Sequence, residues 1–291
     1  MRVLVTGATG FVGSRLVESL AGHHDVWAVG RSPMQGKAGV TWVRWDLAAR
    51  PVAGTLPTRL DAVIHLAQSR HYRLFPESAL AIARVNVDAT LELLDHARQA
   101  GAKTFVFASS GGVYGGSGAS IKEDASLRPP DFYLSTKVAS ETLANTYRSL
   151  FDVVSLRLFF VYGPGQGPDR FISRLVRKVY AGEQVILYGT DGIRVNPIHV
   201  SDVVRAMVAS LGLDGSHVVN VAGPDVLTLR RLTELIADKV GRKPNFDLRP
   251  PEADRDLVAD TGLMNQLLVP AREHFAERIG EVCEEVMAAP L

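Results

Sequence analysis

Six short apolar runs alternate with turns and helical stretches through the first half of this chain, and that alternation leaves few folds open to it. The runs are Arg2 to Thr6, Asp25 to Val29, Val40 to Arg44, Asp61 to Leu66, Thr104 to Ala108 and Val153 to Leu158. Helical patterns lie between them, first over Gly13 to Ala21, then over Ala79 to Ala100 and Tyr133 to Leu150, where apolar residues recur at three and four spacing. Strands rich in Val, Ile and Phe that alternate with helices imply a parallel sheet covered on both faces, an α/β doubly wound sheet of Rossmann-like type. Such sheets take ligands at the carboxyl ends of their strands, near the switch in strand order. The glycine loop Thr6 to Gly13 and the segment Ser109 to Gly115 both follow strands, so both are expected to face that crevice.

Beyond Tyr162 the pattern changes. Gly163-Pro-Gly-Gln-Gly-Pro168 breaks the alternation, and a helix over Phe171 to Ala181 leads to a strand-like Val185 to Tyr188 and a turn at Gly189 to Gly192. Val200 to Leu211 reads as a helix, His217 to Val221 as a short strand and Thr228 to Val240 as a helix. A Pro-rich stretch at Arg249 to Pro251 and a polar region precede a closing helix over Ala271 to Met287. These pieces predict a dinucleotide-binding domain over 1–163 and 196–222, interleaved with a smaller C-terminal substrate lobe over 164–195 and 223–291.

Charge and cysteine usage exclude several function classes. The net charge is +1 with Lys and Arg spread along the chain, so the basic stripe of a nucleic-acid reader is missing. Cys283 is the single cysteine, with no Cys or His spacing around it that suggests a metal site. No apolar run approaches the roughly 18 residues of a membrane span. The N-terminus enters a strand and glycine loop at once, leaving no room for a signal peptide, so a cytoplasmic protein is expected.

A strand ending at Thr6 and a helix starting near Gly10 put free backbone N–H groups and a positive dipole end where a diphosphate could sit. Gly7 would permit the turn, Gly10 the approach of phosphate to backbone, and Gly13 the packing of helix on strand. The competing reading of the loop is a plain strand-to-helix turn with packing glycines. After the second strand, where an acidic residue would bind the adenosine ribose of NAD, the chain reads Val26-Trp-Ala-Val-Gly30-Arg31-Ser32. No carboxylate repels a ribose phosphate there, and Arg31 with Ser32 could hold one, which leans towards NADP over NAD. The alternative is that Arg31 is solvated or stacks on adenine.

Tyr133 and Lys137, in Tyr-Leu-Ser-Thr-Lys, fall on one face of a helix, where their heads can converge on one ligand. A phenol with a pKa near 10 is a poor base at neutral pH, but a nearby ammonium stabilises the phenolate. Tyr133 could then move a proton on a substrate oxygen that Ser110 holds by a hydrogen bond, while hydride moves on carbon. An ordinary solvated helix face is the competing reading.

These residues carry a resemblance that runs through nearly the whole chain. The matching pieces are Thr6 to Gly13, Asp46-Leu47, Asp61 to Ala67, Val85-Asn86-Val87, Ser109 to Gly115, Tyr133 to Lys137, Leu156-Arg157, Tyr162-Gly163-Pro164 and Ile198 to Asp202. In order and spacing the chain resembles an extended short-chain dehydrogenase/reductase of the NAD-dependent epimerase/dehydratase family. The resemblance implies cofactor contacts at Gly7, Thr9, Gly10, Phe11, Val12 and Gly13, and at Asp46, Leu47, Leu66 and Ala67. Asp46 would contact adenine, Asn86 would support the active site, and Lys137 would also hold the nicotinamide ribose. His65 and His199 match family positions beside strands and are expected to be packed rather than catalytic. Relatives often pair two long helices from each partner, which implies a homodimer through Ala79 to Ala100 and Tyr133 to Leu150.

Most relatives oxidise or epimerise nucleotide-activated sugars, and three departures bear on that expectation. Relatives that perform 4,6-dehydration carry an Asp-Glu pair just after the catalytic Ser or Thr; this chain has Gly111-Gly112. Where many relatives place an asparagine on the sugar nucleotide, this chain has Phe160, a residue suited to packing. The family's diphosphate-gripping arginine falls on Val195, with Arg194 one position early, so Arg194 either reaches a diphosphate through a remodelled loop or has a surface role. The expected activity is an NAD(P)-dependent epimerase acting on a nucleotide-sugar hydroxyl. Alternatives are an NADPH-dependent ketoreductase of a sugar nucleotide or other carbonyl, and a dinucleotide-sensing regulator that has lost the chemistry. Intact Tyr133 and Lys137 count against the last.

Overall fold

The computed structural model describes residues 1–32, 36, 38–52, 54–252 and 255–288. The first half runs β1 (Arg2–Thr6), α1 (Phe11–Leu20), β2 (Asp25–Gly30), β3 (Val40–Arg44), β4 (Ala62–His65), α2 (Ala79–Ala83), α3 (Ala89–Gln99), β5 (Thr104–Ser110), α4 (Phe132–Asn145) and β6 (Asp152–Leu158). There follow α5 (Phe171–Tyr180), β7 (Val185–Tyr188), β8 (Arg194–Val195), α6 (Val200–Ser210), β9 (His217–Val221), β10 (Leu227–Thr228), α7 (Leu229–Val240), β11 (Phe246–Arg249), α8 (Gly262–Leu267) and α9 (Phe275–Ala288).

Seven strands form one sheet in the order β3-β2-β1-β4-β5-β6-β9. β1 pairs in parallel with β2 on one side and β4 on the other, with Thr6 opposite Val29 and His65. The chain reverses its direction of winding between β1 and β4, so the loops that leave their carboxyl ends emerge side by side. Val3, Leu4, Val5 and Thr6 are all fully buried, the continuous burial of a strand with both faces covered. The α/β doubly wound architecture read from the alternation is therefore the one observed.

The chain forms two compact units, Met1–Val113 with Leu127–Arg157 and Val204–Val219, and Tyr114–Ser126 with Leu158–Val203 and Asn220–Leu291. The first packs Leu4, Val63, Leu93, Leu94, Phe105 and Phe151 beside its sheet. The second has its own core of Tyr162, Val176, Leu187, Ile236, Phe275 and Ile279. Residues 114–126 belong to this second unit, although the sequence division places them in the dinucleotide domain. Hydrogen bonds explain their place: Ile121 N–H donates to the Val258 carbonyl, and Asp260 N–H to that of Ile121. The second unit also contains two small sheets, β8 with β10 and β7 with β11.

Two helices differ from expectation in ways that matter for the site. The stretch read as one helix from Ala79 to Ala100 is broken by a π-helical turn over Arg84–Asp88, where Ala89 N–H bonds to the Arg84 carbonyl. α4 begins at Phe132 because Asp131 caps it, its carboxylate accepting the Leu134 N–H at 2.8 Å, and it ends at Asn145 rather than running on to Leu150.

Candidate active site

The loop after β1 is shaped by its glycines. Gly7 has φ +68, and a Cβ there would lie 2.9 Å from Ala67 N, so the turn needs both the left-handed conformation and the missing side chain. A Cβ on Gly13 would lie 2.1 Å from the Gly7 carbonyl oxygen, which is how closely α1 approaches the end of β1. Gly10 precedes α1 without a side-chain cap, and the first turn of α1 carries no acidic residue. The N–H groups and positive dipole end of this turn are thus offered to an anion that approaches over Gly10, where no Cβ stands. Thr9, Phe11 and Val12 line the same turn, and the loop that follows β4 brings Leu66 and Ala67 against Gly7. Open backbone and free N–H groups of this kind are what a pyrophosphate requires.

A chain of hydrogen bonds ties the loops together beneath the cradle. Ala67 N–H donates to Thr6 Oγ1 at 3.3 Å, and Thr6 Oγ1 lies 2.6 Å from His65 Nδ1. His65 Nε2 is 3.0 Å from Thr90 Oγ1, whose own hydrogen goes to the Asn86 carbonyl at 2.5 Å. Thr90 can only accept from His65, so the imidazole carries its proton on Nε2 and accepts from Thr6 on Nδ1. Burial, and then the charge of Lys137, push the His65 pKa down to about 3, so the ring stays neutral. His65 is the packed, hydrogen-bonded histidine expected from the sequence.

Asn86 lies in the π turn and braces two elements at once. Its Oδ1 accepts the Ser69 N–H at 2.8 Å, and its Nδ2 donates to Thr136 Oγ1 at 2.9 Å. Thr136 in turn donates to the Tyr133 carbonyl at 2.6 Å, so one carboxamide sets the separation between the loop after β4 and the first turn of α4. The Asn86 carbonyl also accepts from Ser140 at 2.7 Å.

On that first turn, the Tyr133 hydroxyl donates to Gln68 Oε1 at 2.6 Å, and the Tyr72 ring packs with its centroid 5.2 Å from that of Tyr133. Lys137, one turn further, is buried; its ammonium donates to the Ala108 carbonyl at 2.9 Å and lies 5.9 Å from the Tyr133 ring centroid. This contact ties α4 to β5 two residues before Ser110. Ser110 Oγ accepts the Gly112 N–H at 3.2 Å, which fixes the hydroxyl oxygen at the strand end. A Cβ on Gly112 would stand 3.0 Å from Leu134 Cδ2 and 3.4 Å from Ser110 Oγ, so Leu134 fills the space that a side chain at 112 would need.

The remaining sequence candidates divide. Arg31 and Ser32 are exposed just past β2, and a Cβ on Gly30 would lie 3.0 Å from Thr9 Cγ2, so this strand end abuts the glycine loop. Asp46 is exposed, with its carboxylate accepting the Ala48 N–H at 3.0 Å, whereas the Leu47 side chain is buried in the core and offers a ligand its backbone only. In the second unit Phe160 has φ +43 and packs on Phe171 with ring centroids 5.1 Å apart, the packing role its chemistry suggests. Arg194 is committed to its own unit: Nε pairs with Asp256 at 2.7 Å and Nη2 donates to the Gly118 carbonyl at 3.3 Å. His199 is buried with its ring against Tyr162, centroids 5.3 Å apart.

Sequence reasoning missed Gln68, Thr136 and Leu134. Thr136 and Leu134 lie within the Tyr133 to Lys137 motif, and Gln68 directly follows the matched Asp61 to Ala67, so proximity to a motif was the available signal. Among the described residues no cluster of His, Cys, Asp and Glu could hold a metal, and no helix is long and apolar enough to cross a membrane.

Comparison with known proteins adds the family context. The model of the NAD dependent epimerase/dehydratase family matches residues 3–222. A dTDP-glucose 4,6-dehydratase of Streptomyces antibioticus is 34% identical over 281 residues, covering 88% of this chain and 81% of that protein. An uncharacterized UDP-glucose epimerase, YtcB of Bacillus subtilis, is 31% identical over 264 residues, covering 84% and 83%. Among solved structures, MoeE5 in complex with UDP-glucuronic acid and NAD superposes with a TM-score of 0.84 at 34% identity, over 99% of each chain.

Proposed function

The chain belongs to the NAD dependent epimerase/dehydratase family, and from that premise we propose that it is an NAD-dependent epimerase acting on a hydroxyl-bearing carbon of a nucleotide-activated sugar. The observation that carries this reading is the placement of Lys137, whose ammonium bridges α4 to the Ala108 carbonyl while standing 5.9 Å from the Tyr133 ring. A cation so close, away from bulk water, favours the phenolate, the form of Tyr133 that can accept a proton. In this reading Ser110 hydrogen-bonds the same substrate oxygen. When bound, the dinucleotide supplies a hydride acceptor and donor at its nicotinamide ring.

Each residue then has a role in a reversible step. The Tyr133 oxygen takes the proton of the sugar hydroxyl as the carbon gives up its hydride, and the hydroxyl oxygen becomes a carbonyl. Ser110 holds that oxygen by its hydroxyl. In the return step Tyr133 gives the proton back to the oxygen as hydride returns to the opposite face of the carbon. Protons and electron pairs balance, with no net oxidation of the sugar.

Two features support epimerisation over dehydration, although a dTDP-glucose 4,6-dehydratase is among the relatives. Gly111 and Gly112 supply no acid or base after Ser110, and Leu134 already occupies the space beside Gly112. For the dinucleotide we infer NAD, the molecule named with MoeE5 at 34% identity. The lean towards NADP rested on Arg31 and Ser32 and has no support among the neighbours. We further infer a homodimer, because Leu80 on α2 and Leu91 on α3 expose 87% and 43% of their surface along the expected contact. The test is to incubate purified protein and NAD with UDP-glucose, UDP-glucuronic acid and dTDP-glucose and to follow each sugar by NMR. Formation of the 4-epimer supports the reading; a 4-keto-6-deoxy product, or none with any sugar, overturns it.

A further inference from the structure

Gln68 takes no part in the steps above, yet its carboxamide is the hydrogen-bond acceptor of the Tyr133 hydroxyl at 2.6 Å. That distance is at the short end for O–H···O between neutral groups. The pairing is also held in place from both sides. The loop that carries Gln68 is fixed through the Ser69 N–H to Asn86 Oδ1, and the helical turn that carries Tyr133 through Thr136 to Asn86 Nδ2. Ala67, next to Gln68 in the chain, is anchored to Thr6. From the same loop Tyr72 lays its ring against that of Tyr133 and limits how far the phenol can swing.

A carboxamide has a property that neither a carboxylate nor a hydrocarbon shares. Oε1 accepts a hydrogen bond from a phenol, and half a turn of the amide presents Nε2–H to a phenolate in the same place. A carboxylate can only accept, so it favours the protonated phenol; an alkyl side chain serves neither form. Tyr133, as read above, must alternate between the two forms in each turnover. Charged and titratable groups that face it are Lys137 on its own helix and Tyr72 on the facing loop, with the Arg73 guanidinium 5.2 Å from the Tyr72 ring centroid; neutral His65 at the end of β4 feels the charge of Lys137.

We propose that Gln68 is a positioning residue for Tyr133. It orients the phenol hydroxyl when protonated and stabilises the phenolate by rotation of its amide, so that both proton transfers begin from a held oxygen. The proposal rests on the reading of Tyr133 as the proton acceptor.

The test uses the full chain saturated with NAD and two substitutions, Gln68→Glu and Gln68→Leu, with Tyr133→Phe as reference. Ionisation of Tyr133 is read from the near-ultraviolet absorbance of phenolate, as the difference between each protein and its Tyr133→Phe counterpart, and needs no turnover. With Gln68→Glu we expect Tyr133 to titrate on the order of one pH unit higher, and the ascending limb of the kcat profile to move with it. Gln68→Leu should shift both in the same direction by less, with KM changed less than kcat. An unmoved titration and unmoved pH profile in both folded variants would overturn the role of Gln68. If Tyr133→Phe is fully active, it is the catalytic reading that fails, while the titration still reports whether Gln68 governs the phenol.

Discussion

Arg157 on β6 and Glu141 on α4 form a buried ion pair whose removal should show how the helix that carries Tyr133 and Lys137 is held. The guanidinium Nη2 donates to Glu141 Oε2 at 2.8 Å and Nε reaches both carboxylate oxygens at 3.2 and 3.3 Å, with side-chain exposures of only 6% and 8%. Glu141 lies one turn beyond Lys137, so this pair and the Lys137 contact to Ala108 anchor the same helix to adjacent strands. Arg157→Met would leave a carboxylate buried without its partner, which typically costs about 3–5 kcal/mol. Converting the pair together, with Glu141→Leu and Arg157→Met, removes both charges and should recover most of that loss, because a well-packed apolar pair is often neutral or better. The assay is urea denaturation at neutral pH of wild type, both single variants and the double variant, analysed as a double-mutant cycle. A cost below about 1 kcal/mol for Arg157→Met, or a double variant no more stable than the single ones, would refute the idea that the pair is dry and mutually dependent.

Other expectations follow from the same geometry. His65, with a pKa near 3 in the folded chain against 6.5 unfolded, is neutral when folded; its contribution is complete above about pH 6.5 and is lost as pH falls towards 3, at about 1.4 kcal/mol per pH unit. An NMR titration that shows the His65 ring protonating above pH 5 in the folded protein would contradict this. Gly13→Ala forces a methyl to 2.1 Å from the Gly7 carbonyl oxygen, so α1 must back away; calorimetry should show at least a roughly tenfold loss of NAD affinity, with stability lower by about 1–3 kcal/mol. Unchanged NAD binding would count against the cradle. Leu80→Glu with Leu91→Glu should convert a dimer to a monomer in light scattering, and a wild type that is already monomeric would sink the dimer proposal.

The parts of this molecule legible in the sequence are those where one residue type meets one physical demand. The apolar runs gave the sheet because a strand buried on both faces admits little else, and Gly7 and Gly13 marked the cradle because no other residue fits there. Tyr133 and Lys137 stood out because their helical spacing came together with the glycine loop and the serine strand end upstream; spacing alone reads equally as a solvated helix face. What escaped depended on contacts between segments far apart in the chain. Gln68 meets Tyr133 across 65 residues, and Asn86 reaches Thr136 across 50, distances at which local pattern carries no signal. The π turn at Arg84–Asp88 preserves apolar spacing well enough to pass for continuous helix. β11 is four residues long beside a Pro-rich stretch, and its partner β7 lies about sixty residues earlier, so it had no visible alternation to announce it. The pairing of Arg194 with Asp256, 62 residues further on, likewise had no local signal.

If Tyr133 moves the substrate proton, its loss must slow single-turnover reduction of bound NAD by a nucleotide sugar. With enzyme in excess, absorbance of the reduced nicotinamide is followed for wild type and Tyr133→Phe after mixing with UDP-glucose or UDP-glucuronic acid. We expect the variant to bind NAD as wild type does and to reduce it about 10²–10⁴-fold more slowly. Equal rates in the two proteins would contradict the assignment of Tyr133 as the proton-transferring group.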